Sequence, residues 1–154
     1  MNSSRFNIVQ IGPNEPGALR KLLAVFAVAF DDAAHYTGKQ PDDDYLERLL
    51  AKSDFFALAA YDNQQLIGGL TAYELQKYEQ SSSELYLYDL AVAEAHRRNR
   101  IATRLIESLR AIASDKGCSV VYVQADREDK HAIALYSALG KMTDVVHFEF
   151  EPAR

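Results

Sequence analysis

Between Glu84 and Lys116 the apolar period changes from two to 3.6, and the change falls across a knot of cations. Glu84 to Val92 reads as a strand, while Ile101, Leu105, Leu109 and Ile112 mark one face of a helix over Ile101 to Lys116. Gly117 sits where a helix C-cap belongs. The junction holds His96, Arg97, Arg98, Arg100 and Arg104, five basic residues within nine positions of a chain whose net charge is -5. The first amides of a helix have no intrahelical acceptor, and its dipole is positive there. Each extra cation opposes that dipole by about 0.3–1 kcal/mol. The arrangement suits an anion lying across the helix mouth, a pyrophosphate above all. The competing reading is a solvated basic face, with arginines paired to Glu94 and Glu107.

The remaining pattern predicts a mixed α/β sheet, mostly antiparallel, with helices on both faces. Phe6–Ile11 is a strand closed by Gly12-Pro13. Leu19, Leu22, Leu23, Phe26 and Phe30 form one helical stripe over Pro16 to Phe30. Asp42 to Lys52 is a second helix with Tyr45, Leu46, Leu49 and Leu50 inward. Phe55–Tyr61 and Leu66–Leu75 are strands joined through Asp62-Asn63-Gln64-Gln65. Ser119–Gln124 reads as a buried strand, Ala132–Leu139 as a helix up to Gly140, and Val145–Phe150 as a closing strand that also offers an edge for a homodimer.

Length and charge narrow the class. At 154 residues the chain is most simply one domain spanning 1–154. A net charge of -5 argues against nucleic acid as a general partner and favours a cationic small molecule. One cysteine, Cys118, excludes an internal disulfide and fits a reducing compartment; it reads as packing. MNSSRFNIVQIG lacks a signal-peptide core, and no apolar run approaches the ~18 residues of a membrane span. A cytoplasmic protein is expected. His35, His96, His131 and His147 show no metal-ligand spacing, and neither a P-loop nor a GxGxxG fingerprint occurs.

Arg97-Arg98-Asn99-Arg100-Ile101-Ala102 resembles the Q/R-x-x-G-x-G/A motif of the GCN5-related N-acetyltransferases. Leu90-Ala91-Val92 resembles the end of that family's central strand, and Asp129 to Gly140 its late N-x-x-A-x-x-L-Y-x-x-x-G helix. The chain departs from the motif at Arg100, where the family has glycine, and at Asp129, where it has asparagine. The stretches Gln40–Leu46, Phe56–Asp62, Tyr86–Val92 and Tyr122–Asp126 are similar to the aminoglycoside 3-N-acetyltransferases, which act on the 2-deoxystreptamine ring of gentamicin-type drugs. The resemblance implies acetyl-CoA as co-substrate. It would be held by Leu90, Ala91, Val92, the loop and helix start Arg97, Arg98, Asn99, Arg100, Ile101, Ala102 and Thr103, and by Asp129, Ala132 and Tyr136 of the late helix. It also implies that Tyr136 protonates the departing thiolate, although packing beside Leu135 and Leu139 would also account for a tyrosine there. No metal is implied.

An amine attacks a thioester only as the free base, so the site needs a proton acceptor. Alternation from Leu85 puts Leu85, Leu87, Asp89 and Ala91 on one face, making Asp89 the charged member of an apolar row and the leading base. A carboxylate that merely accepts loop amides is the other reading of Asp89. Glu84, on the opposite face with Tyr86 and Tyr88, could act through a water or be a plain strand-end charge. The resemblance implies that a polycationic acceptor is met by Asp31, Asp32 and Asp126, whose loops correspond to those bordering the family's acceptor cleft, together with Tyr36, Glu79, Glu84 and Asp89, whereas Asp42–Asp44 read more simply as a solvated helix cap. The alternatives for function are acetylation of a polyamine or protein amine, and a CoA-binding module that has lost activity.

Overall fold

The computed structural model describes residues 5–154; Met1 to Ser4, part of the opening segment read above for a signal sequence, lie outside it. The chain divides into two compact units, one ending at Gln124 and one running from Ala125 to Arg154. Among the described residues no helix is long and apolar enough to cross a membrane.

The first unit is a five-stranded sheet in the order β1-β2-β3-β4-β5, comprising β1 (Phe6–Gln10), β2 (Phe55–Asp62), β3 (Gln65–Gln76), β4 (Ser83–Val92) and β5 (Val120–Val123). The first four are antiparallel in sequence, and β5 pairs parallel to β4. This is the expected mixed, mostly antiparallel sheet. The β2–β3 turn is tighter than predicted, because both strands extend to the Asp62↔Gln65 pair and leave only Asn63-Gln64 between them. Asn63 takes φ 54°, which a short polar side chain tolerates in a two-residue hairpin.

The two sheet faces are covered by different helices. α1 (Pro16–Ala29) buries Leu19, Leu22 and Phe26 in a core with Phe55, Ala57, Ala59 and Ala91. α4 (Ile101–Lys116) spans the predicted residues and buries Ile101, Leu105, Leu109 and Ala113; its Lys116 lies over the Phe56 ring. Between α1 and β2 lie a four-residue helix, α2 (Ala33–Tyr36), and α3 (Asp43–Leu50). α3 turns Leu46 and Leu50 inward as expected, but Tyr45 is 53% exposed, since an eight-residue helix with one buried stripe cannot also bury its flank. β5 is not the fully buried strand its composition suggested. It is the sheet's edge, and Val120 is 44% exposed.

The second unit contains α5 (Lys130–Leu139), capped by the Asp129 carboxylate on the Ala132 amide at 3.0 Å. Val145–Phe150 forms no strand, contrary to expectation. Val146, Phe148 and Phe150 are exposed. Alternation supplies one apolar face, but a strand exists only where a neighbour accepts its hydrogen bonds, and this segment has no ladder partner among the described residues.

Close helix–sheet approach depends on one glycine. A Cβ on Gly69 would sit 2.3 Å from the Leu58 carbonyl oxygen and 2.6 Å from Leu22 Cδ1. Gly69→Ala is therefore expected to destabilise the protein by about 1–3 kcal/mol through overpacking. Urea denaturation would measure the loss; an unchanged midpoint would mean that α1 does not rest on β3 as described.

Candidate active site

β4 outruns its neighbour on one side. β5 is registered with it only from Glu84↔Val120 to Leu87↔Val123, whereas β3 follows it as far as Gly68↔Val92. Asp89 to Val92 therefore have a strand partner on one side only, which leaves backbone donors and acceptors beyond Val123 for another group.

The same stretch carries a β-bulge. Leu87 opposes Ala72 and Asp89 opposes Thr71, so Tyr88 is an extra residue with no registered partner. The extra residue resets the alternation and overturns the expected placing of Asp89 in a row with Leu85 and Leu87. Those leucines stay on the α4 face, Leu87 in register with Ala72 and Phe56 and Leu85 with Glu74. Asp89 instead turns to the α1 face, where Tyr36 Oη donates to its Oδ1 at 3.1 Å. That face is lined with tyrosines. Tyr86 stacks on Tyr122 at 4.7 Å between centroids, Tyr88 lies 5.7 Å from Tyr86 and 5.5 Å from Tyr73, and Tyr73 lies 5.2 Å from Phe55.

The electrostatics follow from burial. Desolvation pushes the Asp89 pKa above the ordinary carboxylate value, against the opposing pull of the Tyr36 hydrogen bond and the field of His35. Burial, followed by the Asp89 charge, pushes Tyr36 upward as well, so its hydroxyl stays a donor. Burial is also the main cause of the upward shifts of Tyr73, Tyr86 and Tyr122. Asp89 is thus a carboxyl group inclined to take a proton, beside phenols that keep theirs.

The cationic loop is tied down at its start. Ala93 N–H donates to the Ile67 carbonyl at 2.7 Å, and a single 3-10 turn, Glu94–His96, follows. His96 Nε2 lies 3.3 Å from the buried Asp62 carboxylate at the end of β2, and Arg5 Nε donates to the same carboxylate at 2.9 Å. Sequence reading missed this role of Asp62. Its only signal was an acid at a strand end, which reads equally well as a turn residue. Arg98 and Arg100 then take left-handed φ values of 66° and 60°. Arg100 is the N-cap of α4 and its side chain makes no cap bond, whereas Asp32, Asp42 and Asp129 cap the other helices after α1 through their carboxylates. The first α4 amide to reach a backbone carbonyl is that of Arg104, which donates to Arg100 at 3.0 Å, leaving the amides of Ile101, Ala102 and Thr103 ahead of it. Arg97 Nε donates to the Val92 carbonyl at 3.3 Å. Among the described residues Arg97, Arg98 and Arg100 form no ion pair, so the pairing with Glu94 and Glu107 does not account for them. Uncommitted amides and cations at one helix start fit a pyrophosphate.

The predicted acids separate into groups. Glu84 shares the tyrosine face, and its charge reaches Tyr122; Lys77 lies 3.6 Å from it and 3.3 Å from Glu79. Asp32 is committed to capping α2, and Asp31, with φ 49°, is exposed at the end of α1. Asp42 caps α3 and Asp43 pairs with Arg20 at 2.6 Å, which is the structural role expected for that cluster. Glu74 belongs to the α4 face, joined to Lys116 at 3.0 Å and to Ser83 at 2.7 Å, with Cys118 Sγ packed 3.2 Å from the Ser83 hydroxyl. In the second unit Asp126 lies in the loop before α5, its carbonyl accepting from the Asp129 amide at 3.0 Å, and Ala132 and Tyr136 are on α5. Among the described residues no group of three His, Cys, Asp or Glu is placed to hold a metal.

Residues 21–140 match the model of the acetyltransferase (GNAT) family. The chain belongs to the GNAT acetyltransferases. An aminoglycoside N(6')-acetyltransferase type 1 of Acinetobacter genomosp. 13 is 33% identical over 110 residues, covering 68% of this chain and 75% of that one. The crystal structure of an aminoglycoside acetyltransferase from an uncultured soil metagenomic sample superposes with a TM-score of 0.94 at 49% identity, over 96% of this chain and 99% of that one. A second soil metagenomic aminoglycoside acetyltransferase, solved with sisomicin, is 28% identical with a TM-score of 0.89, over 96% and 97% of the two chains.

A left-handed non-glycine residue costs roughly 1–2 kcal/mol. Arg100→Gly in this GNAT chain is expected to raise stability by about 1 kcal/mol, the relief being partly offset by glycine's greater unfolded-state freedom. A thermal denaturation series would test this, and a lower midpoint would show that the arginine side chain stabilises the loop.

Proposed function

We propose that residues 1–154 act as one cytoplasmic N-acetyltransferase domain that uses acetyl-CoA to acetylate the 3-amino group of 2-deoxystreptamine aminoglycosides. Asp89 carries the reading: it is the partly buried carboxylate that the bulge turns onto a tyrosine-lined face, beside the one-sided end of β4. In this reading Asp89 takes the proton of the attacking amine, and Glu84, on the same face, serves as an auxiliary acceptor and counter-charge. Glu79, Asp31, Asp32 and Tyr36 supply the acidic and polar surroundings that a polycation requires, and Asp126 keeps the substrate-binding place that the resemblance implies. Acetyl-CoA supplies the thioester. Its pyrophosphate would be held by the amides of Ile101, Ala102 and Thr103 with Arg97, Arg98, Asn99 and Arg100, and its acetyl arm by Leu90, Ala91 and Val92. Asp129, Ala132 and Tyr136 keep the places given by the motif resemblance, with Tyr136 protonating the departing thiolate.

The sisomicin complex of the soil relative supports an aminoglycoside acceptor. The 3-amino assignment is supported by the four stretches that resemble the 3-N-acetyltransferases. The Acinetobacter relative, named for the 6' position, favours a second reading: the same chemistry at the 6'-amino group. Thiol release from acetyl-CoA with gentamicin, followed by NMR of the product, separates the two. Acetyl on the 2-deoxystreptamine 3-nitrogen supports the first, acetyl on the 6'-nitrogen supports the second, and turnover with spermidine or lysine peptides alone rejects both.

Asp89→Asn is expected to lower kcat by roughly 10²–10⁴ if Asp89 is the base. A loss under tenfold would remove it from that role. The same substitution is expected to raise stability at pH 7. Asp89's folded pKa lies above its unfolded value, so stability falls as pH rises from the ordinary carboxylate pKa through the folded one, and asparagine has no charge to bury. Urea denaturation of both forms at pH 4 and pH 7 checks the sign: the gap should widen at the higher pH.

A further inference from the structure

α2 is too short to be a packing element in its own right, yet it is tightly fixed. The Asp32 carboxylate caps it on the His35 amide at 3.1 Å, Gln40 Nε2 donates to the Tyr36 carbonyl at 3.2 Å, and the Thr37 hydroxyl donates to the Ala33 carbonyl at 2.9 Å. The Tyr36 ring is held among Phe26 at 5.8 Å, Phe30 at 5.5 Å and His35 at 4.8 Å. The polar end of this fixed ring meets Asp89 Oδ1 at 3.1 Å.

That contact answers a problem set by the site. Burial favours the neutral acid, and a neutral Asp89 cannot accept the amine's proton. A hydrogen bond donated to the carboxylate favours the ionised form. It also takes one of the two acceptor sites of Oδ1 and so leaves Oδ2 as the less committed oxygen. We propose that Tyr36 is the positioning residue of the transfer, keeping Asp89 ionised and fixing which of its oxygens receives the proton. The proposal rests on the reading of Asp89 as the base. The titratable groups that interact with Asp89 are Tyr36 and His35 from the α1–α3 connection, Tyr73 from β3 and Tyr86 from β4, while Asp32 and Tyr88 act on Tyr36. Tyr36 is the side chain that bonds to it directly.

Tyr36→Phe removes the hydroxyl and keeps the ring packing. The Asp89 carboxyl would be titrated by carbon-13 NMR in the wild type and in Tyr36→Phe, its signal assigned by its absence from Asp89→Asn. The acidic limb of kcat/KM would be followed in the same proteins, with thermal melting as the check on folding. Loss of a charge-assisted hydrogen bond is expected to move both the Asp89 titration and the acidic limb upward by about one pH unit, with a single cooperative melt lowered by only a few degrees. An Asp89 titration identical in the two proteins overturns the positioning role, whatever the activity does. A titration that moves while the acidic limb stays put supports the Tyr36–Asp89 coupling and overturns Asp89 as the base.

Discussion

One extra residue in β4 decides the character of the whole site. Without the bulge at Tyr88, strict alternation would send the Asp89 carboxylate into the layer of Leu85, Leu87, Leu105 and Leu109, with no partner among them. A buried, unpaired carboxylate costs several kcal/mol or protonates. With the bulge, the two apolar leucines remain under α4 while the carboxylate emerges on the other face, where Tyr36 can reach it. Asp89 and Glu84, which alternation places on opposite faces, come to share the tyrosine face. The bulge also sits at the level where β5 stops, so re-aimed side chain and one-sided backbone coincide.

Most of the fold was legible because most of it obeys periodicity. The α4 stripe is long enough to fix its limits, and the β2 and β3 patterns needed only a shorter turn. What escaped was structure that depends on a neighbour. The bulge reflects register against Thr71 and Ala72 of β3, which β4's own residues do not encode. α2 has four residues, fewer than two helical turns, so no apolar period could reveal it; its only local mark is Asp32, one of several acids in that region. Val145–Phe150 shows the converse failure: alternation is visible, but the partner that would make it a strand is not supplied by the described residues.

For the candidate site, residue identity was easier to read than orientation. Asp89 and the arginines were evident as charges out of keeping with their surroundings, whereas Glu84 read equally well as a plain strand-end charge. The bond from Tyr36 joins residues 53 positions apart, and the tie between His96 and Asp62 joins residues 34 apart, both beyond any local pattern. The acids sorted themselves by partner: Asp32, Asp42, Asp43 and Glu74 make caps and ion pairs, which leaves a smaller set of uncommitted carboxylates for a cationic acceptor.

The start of α4 raises the opposite electrostatic question. After α1 the helices α2, α3 and α5 each begin on an aspartate whose carboxylate satisfies an amide, and an acidic chain has aspartates to spare. At position 100 an aspartate would cap the helix and repel any phosphate brought to it. Glycine would take the left-handed backbone without strain but would add no charge. Arginine accepts roughly 1–2 kcal/mol of backbone strain and a further unfavourable term against the dipole. Neither term is offset by an ion pair among the described residues. A bound diphosphate would reverse the electrostatic one, because the amides, the dipole and the guanidinium would then all face negative charge. On the proposed reading, the electrostatic cost at Arg100 is one that the free protein carries and a bound diphosphate would reverse, while the backbone strain is the same in both states.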